Sequence, residues 1–230
     1  MIGFAGADPT DEQATERLAE DVERLRLRGV SVSPAAAGFH PADTRAMQLY
    51  ELADSLALPV VFHSGPSWAP ASVMDYAHPR HLDEVARSLP GLKLILARMG
   101  YPWLDEALVL LSKHPNVFAD VGGLLRMPSQ AYRALSAASE FGVIDKLLFG
   151  SGFPFATATQ CIETLYQINV LPHGTNLPGI PREQLRGIVE RDALKLLGIR
   201  DAAPPPPPAP EDMLDQEEDE QLTADLPDYG

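Results

Sequence analysis

Six short apolar runs recur between Ile2 and Pro154, and each ends in glycine, proline or a polar residue. They read IGFAGADP, GVSVSP, PVVFHSG, LKLILARMG, NVFADVGG and DKLLFGSGFP. PVVFHSG is the clearest of them. A continuous apolar run of that length suits a strand of a parallel sheet covered on both faces. Longer segments with a helical repeat separate the runs. In the segment Thr10–Gly29, Ala14, Leu18, Val22 and Leu25 fall on one stripe. Thr10 with Gln13 fits a capping box, and Gly29 sits where a C-terminal cap belongs. Asp43 is placed to cap a helix reaching about Ala57. Further helices are predicted over His81–Leu89, Leu104–Lys113, Ser129–Phe141, Thr157–Asn169 and Arg182–Leu197.

Strands alternating with helices across short connections specify an α/β fold of about six β-α units. A doubly wound open sheet and a (β/α)8 barrel both satisfy that pattern. Polar residues and glycines cluster just after the strands: Asp8, Ser33, His63-Ser64-Gly65, Arg98, Asp120 and Ser151-Gly152. In a barrel these strand ends meet at one mouth, where sites are built. No GxGxxG or P-loop pattern follows a strand, which lowers the nucleotide-binding alternative. The stretch Leu96–Trp103 is notable because a buried strand runs into a Gly-Tyr-Pro turn that presents Arg98.

Charge divides the chain at about residue 200. From Asp201 to Gly230 there are ten Asp or Glu and no Lys or Arg, so residues 1–200 carry 18 − 22 = −4 of the net −14. That balance argues against nucleic acid and anionic membranes as partners. Residues 1–200 are expected to form the barrel domain. Residues 201–230, opening with APPPPPAP after Asp201-Ala202, are expected to be a disordered acidic tail. The tail reads as a solvated spacer or as a partner-binding segment using Met213, Leu214, Leu222, Leu226 and Tyr229; polyproline also suits an aromatic groove. The single cysteine, Cys161, permits no internal disulfide and reads as a small core residue. The N-terminal sequence does not read as a signal peptide, and no 18-residue apolar stretch occurs, so a cytoplasmic protein is expected.

The ordered series GFHPAD, LPVVFHSG, YAHPRHLDEVARSLPGLKLILARMGYPW, HPNVFADV, DKLLFGSGFPF and IVERDALKLLGI resembles the amidohydrolase-related family over nearly all of residues 1–199. That resemblance implies a TIM-barrel-like metal-dependent hydrolase or decarboxylase fold. It also implies a divalent metal, usually zinc, held by a His-x-His on the first strand, a His on the fifth and an Asp on the eighth. A His closing the sixth strand assists. His63 matches the fifth-strand ligand. The sixth-strand motif, usually His-Met-Gly, reads Arg98-Met99-Gly100, and a guanidinium cannot ligate zinc. The eighth-strand motif, usually Gly-Ser-Asp-aromatic-Pro, reads Gly150-Ser151-Gly152-Phe153-Pro154. The fourth-strand motif, often Gly-Val-Lys-Leu-His-Pro, reads Gly29-Val30-Ser31-Val32-Ser33-Pro34, and the chain contains no His-x-His. Motif order sets MIGFAGADP at the third barrel strand, so the barrel is expected to be incomplete.

The expected function is a catalytically degenerate amidohydrolase-like barrel acting as a structural or ligand-binding subunit, with no cofactor. Its candidate binding residues are His63, Ser64, Arg98, Asp120 and Ser151; none is assigned as catalytic or metal-ligating, and His63 is the one catalytic candidate. Arg98 would bind a carboxylate, unless it pairs internally with Asp120. The alternative is a metal-dependent hydrolase or decarboxylase acting on a small carboxylate or amide, with zinc and with its missing ligands supplied by a longer chain or a partner. A third option is metal-free chemistry with His63 as base and Asp120 orienting it. An open barrel leaves two sheet edges, so a homo-oligomer or complex subunit covering the first edge is expected, together with a protein partner for the tail.

Overall fold

A computed structural model describes residues 2–65 and 69–199. Expectations for the tail fall outside these residues. All six apolar runs form strands: β1 (Ala5–Gly6), β2 (Val30–Val32), β3 (Val60–Phe62), β4 (Leu94–Leu96), β5 (Val117–Asp120) and β6 (Leu147–Leu148). They make one parallel sheet in the order β1-β2-β3-β4-β5-β6. A doubly wound sheet reverses direction at a switch point. Unbroken consecutive order has no such point, which selects the barrel topology over the doubly wound one.

Two sets of side chains leave the sheet in alternation. Val30, Val60, Leu94 and Val117 are paired in register and face the helices. There they meet Leu18 of α1 (Ala14–Leu25), Leu49 and Tyr50 of α3 (Thr44–Ser55) and Val85 of α4 (Leu82–Ser88). The same core takes in Leu108 and Leu111 of α5 (Leu104–Lys113) and Leu135 of α6 (Pro128–Glu140). Leu165 of α7 (Ala158–Gln167) and Ile188 of α8 (Arg182–Glu190) complete it. A single turn, α2 (Pro34–Ala37), follows β2. The other row, Ser31, Val61, Ile95 and Phe118, lines the concave face. Ile95, Phe118 and Leu148 pack there with Phe4 and with Leu197 and Ile199, at and just beyond the end of α9 (Ala193–Leu197). Leu197 and Gly198 line one cavity with Leu58, Pro59, Leu92 and Lys93 at the N-terminal ends of β3 and β4. The chain's last described segment thus closes the bottom of the barrel, and the strand C-termini remain as the mouth.

Several local expectations give way to better hydrogen bonds. The Thr10–Gln13 capping box does not form. Asp8 takes both the Thr10 N–H (2.9 Å) and the Thr10 hydroxyl (2.8 Å), so α1 starts only at Ala14. Its C-cap is Arg26 in the left-handed region, not Gly29. Gly29 serves another purpose: a Cβ there would lie 2.1 Å from Phe4 Cε1. Asp43 does cap α3, accepting the Ala46 N–H at 2.8 Å. The helix predicted over Arg182–Leu197 breaks at Arg191, because Asp192 starts α9 by accepting the Lys195 N–H at 2.9 Å.

That break has a use. Leu148 O points inward along the sheet and accepts the Val121 N–H, so Leu147 O points to the free edge. Arg191 Nη1 donates to Leu147 O there, while Nη2 reaches Asp145 at 3.1 Å. Among the described residues a guanidinium covers one end of the six-stranded sheet, and β1, at the other end, is only two residues long. Both are ways of making an edge a poor template for another strand.

Candidate anion site at the barrel mouth

His63 lies two residues beyond Val61, which places it on the concave side at the mouth, where it is exposed. Its Nε2 is 2.9 Å from Ser31 Oγ. Partial burial lowers its pKa, and the neighbouring Arg98 charge lowers it further, so the imidazole is held neutral at physiological pH. Ser64 faces the other way. It is buried, its hydroxyl turns to Phe62 O, and it lines a small cavity with Tyr76 and His78 behind the sheet.

After β4 the backbone enters an unusual turn. Arg98, Met99 and Gly100 are consecutive left-handed residues, with φ of 53°, 51° and 66°. Each of the two with side chains costs about 1–2 kcal/mol in that region, and such geometry persists only where the surroundings over-determine it. Here Met99 is fully buried, and Arg98 N–H donates to Asp120 Oδ1 at 3.2 Å. The turn carries the Arg98 side chain across two loops. A Cβ on Gly123 (φ 75°) would stand 3.0 Å from Arg98 Cδ, and one on Gly65 would stand 3.5 Å from Nη2. No acceptor or ion-pair partner for the guanidinium is found among the described residues.

Asp120 therefore meets Arg98 through the backbone and not through an ion pair, which corrects the expectation of internal pairing. Its Oδ1 also accepts the Gly122 N–H at 2.7 Å. Burial pushes its carboxyl up to about 6, against the two N–H donors and the Arg98 charge. It makes no hydrogen bond to His63, so it does not orient that ring; Ser31 is the ring's partner. Ser151 stands at the end of β6, where its Oγ accepts the Phe153 N–H at 3.3 Å and its carbonyl accepts the Cys161 thiol. Cys161 is buried, and burial raises its pKa, as suits a core residue. Sequence reasoning did not select Ser31 as a site residue. The signal was available, since a polar residue in the middle of an apolar strand must find a partner.

Four of the five histidines other than His63 are taken up by other contacts, and the fifth, His173, is exposed in a late loop. His40 Nε2 is 3.1 Å from His81 Nδ1, His78 Nδ1 is 3.1 Å from Glu106, and His114 Nε2 is 2.7 Å from Asp83.

The mouth does not fit the metal centre that the sequence resemblance implies. His63 Nε2 is engaged by Ser31 and lies beside a fixed cation. Gly152 has φ 68°, and a Cβ there would meet Gly123 N at 3.1 Å. Among the described residues no three His, Cys, Asp or Glu side chains form a group that could hold a metal ion.

The family profile for amidohydrolases matches residues 1–199. The chain belongs to the amidohydrolase family. Its fold is similar to that of an uncharacterized TIM-barrel protein from Bordetella bronchiseptica, at 22% identity and TM-score 0.65, covering 86% of this chain and 65% of that one. Dihydroxybenzoic acid decarboxylase from Polaromonas, solved with manganese and 2-nitroresorcinol, gives 18% identity and TM-score 0.61 over 87% of this chain and 70% of that one. A probable 2-pyrone-4,6-dicarboxylic acid hydrolase from Acinetobacter baumannii, with citric acid bound, gives 18% and 0.57 over 86% and 73%. Protein fluG of Emericella nidulans is 25% identical over 127 residues, which are 53% of this chain and 15% of that protein. The chain thus spans about two thirds of the Bordetella protein and a small part of fluG. No helix among the described residues is long and apolar enough to cross a membrane.

Proposed function

We propose that this amidohydrolase barrel binds a small organic carboxylate at its mouth through Arg98, without the family's metal-dependent chemistry, and serves as a ligand-binding or structural subunit. One observation carries the reading: a guanidinium held over Gly65 and Gly123 with no acceptor among the described residues. A planar fork of donors matches a carboxylate bidentately. Neutral His63 and Ser31 add hydrogen-bonding groups without a competing charge. Two of the similar structures support an acidic ligand by name, one being a dihydroxybenzoic acid decarboxylase and the other a probable dicarboxylic acid hydrolase. As a subunit, the protein would be cytoplasmic and would place its short β1 edge against a second copy or another chain.

The test is calorimetric titration with benzoate and citrate. Wild type is expected to bind one equivalent. Arg98→Met is expected to weaken binding about 10- to 100-fold, the loss of one or two charge-assisted hydrogen bonds, and Arg98→Lys to fall between. Equal affinity in Arg98→Met would refute the site. A second reading, a metal-dependent hydrolase or decarboxylase completed by a longer chain or partner, is favoured by His63 facing the mouth at the family ligand position. Near-stoichiometric zinc or manganese in protein purified with its associated chains would select that reading.

A further inference from the structure

Asp120 sits where three loops converge. Its Oδ1 collects the Arg98 N–H from the β4 turn and the Gly122 N–H from its own loop. Glycines wall it in: a Cβ on Gly122 would lie 2.8 Å from Oδ1, and one on Gly150, from the β6 end, 3.7 Å from the same atom. No protein donor among the described residues reaches Oδ2. The carboxyl group is therefore fixed by one oxygen and unengaged at the other.

We infer that Asp120 is a positioning residue with two tasks: it holds the strained turn that aims Arg98, and its protonation state sets how much of the Arg98 charge is available to a ligand. The inference rests on reading the mouth as a carboxylate site. With Oδ1 occupied by two donors, a proton settles on Oδ2, which then becomes an O–H donor. Ionised Asp120 offsets the guanidinium and repels an incoming carboxylate. Neutral Asp120 leaves the guanidinium uncompensated and adds a donor.

Few other charges face this group. Arg98 approaches from the β4 end, and the β6 end offers Gly150 and Gly152, which carry none. His63, at the β3 end, is itself held down by partial burial and then by the Arg98 charge. Arg126, after β5, is turned over the Phe155 ring, 5.4 Å from its centroid.

The experiment has two readouts on the full chain. The first needs no ligand: the Arg98 and Gly122 amide shifts are followed by NMR from pH 5 to 8. Both should follow one titration near 6 that Asp120→Asn abolishes and His63→Gln leaves in place. Asn retains the Oδ1 acceptor, so the turn should survive. The second is benzoate affinity over the same range. Wild type should bind about tenfold more tightly at pH 5 than at pH 8, and Asp120→Asn should bind tightly throughout. If Asp120→Asn keeps the wild-type amide titration, or His63→Gln removes it, the assignment to Asp120 is overturned, whatever benzoate does. If the amides titrate as expected but benzoate does not bind, the positioning contact stands while the charge-control task and the carboxylate site both fall.

Discussion

Arg191 should carry a disproportionate share of stability for a residue outside any helix or strand. Its side chain is only 16% exposed and donates to Leu147 O on the free edge of β6. Removing it leaves an edge carbonyl without its charged donor, a loss of about 1.5–3 kcal/mol. The Asp145 contact adds little, because the Asp145 side chain is 88% exposed and solvent screens the pair. Arg191→Ala should therefore lower unfolding free energy by about 2 kcal/mol. For a domain of this size that is about 4–8 °C in melting temperature. Urea denaturation checks it, with a shifted midpoint at constant slope. Asp145→Ala should lower the unfolding free energy by less than about 0.5 kcal/mol, and Arg191→Lys should recover part of the loss. If Arg191→Ala is neutral, or Asp145→Ala costs as much, edge capping is not what this side chain does.

Asn116 is buried and donates its amide to Leu89 O (3.1 Å) and Leu92 O (2.9 Å), so Asn116→Ala should cost about 1–3 kcal/mol in the same assay. Asn116→Asp should cost more, because a carboxylate would face carbonyls, and part of that loss should return as the pH falls. Asp83 is held down at about 2 by hydrogen bonds from Lys113 and then His114. Its folded value lies below the unfolded one of about 4, so its contribution is present above pH 4 and lost as pH falls toward 2. Stability measured across that window should fall less steeply in Asp83→Asn. The double variant Arg98→His, Gly152→Asp should not acquire tight zinc binding by elemental analysis, since Asp at 152 would need φ 68° and crowd Gly123 N at 3.1 Å. Stoichiometric zinc in that variant would show that the loop yields more readily than its geometry implies.

The strands were legible because continuous apolar runs have few alternatives in a chain this regular. The Asp43 cap was legible because a carboxylate before a helix finds the N–H three residues on. What was hidden depended on competition between partners or on distant contacts. Thr10 looked like a cap, yet Asp8 lies closer to it. Gly29 looked like a helix terminator, yet the Phe4 ring dictates it. The break at Arg191 serves a strand more than 40 residues away in sequence, as its bonds to Leu147 show. At the mouth, period-two spacing put His63 and Asp120 on the concave side and could have excluded Ser64. No local pattern announced that Arg98 and Met99 would both be left-handed, because that strain is maintained by Met99 burial and by Asp120 on the next strand.

Where the resemblance implies a sixth-strand imidazole and an eighth-strand carboxylate, positions 98 and 152 hold Arg and Gly. A metal and a guanidinium both supply positive charge to a carboxylate, but only the metal acidifies water or accepts a ligand oxygen into its coordination shell. Under the proposed carboxylate reading, Arg98 in place of the imidazole that the resemblance implies would keep the attraction for an acid and discard one means of transforming it. Gly152 reinforces that change from the opposite wall: its left-handed backbone lies against the Gly123 amide, and Gly123 in turn gives the Arg98 stem its path. Positions 152 and 98 are coupled through this one glycine. A side chain at 123 should disturb both, displacing the Arg98 guanidinium as surely as a change at Arg98 itself.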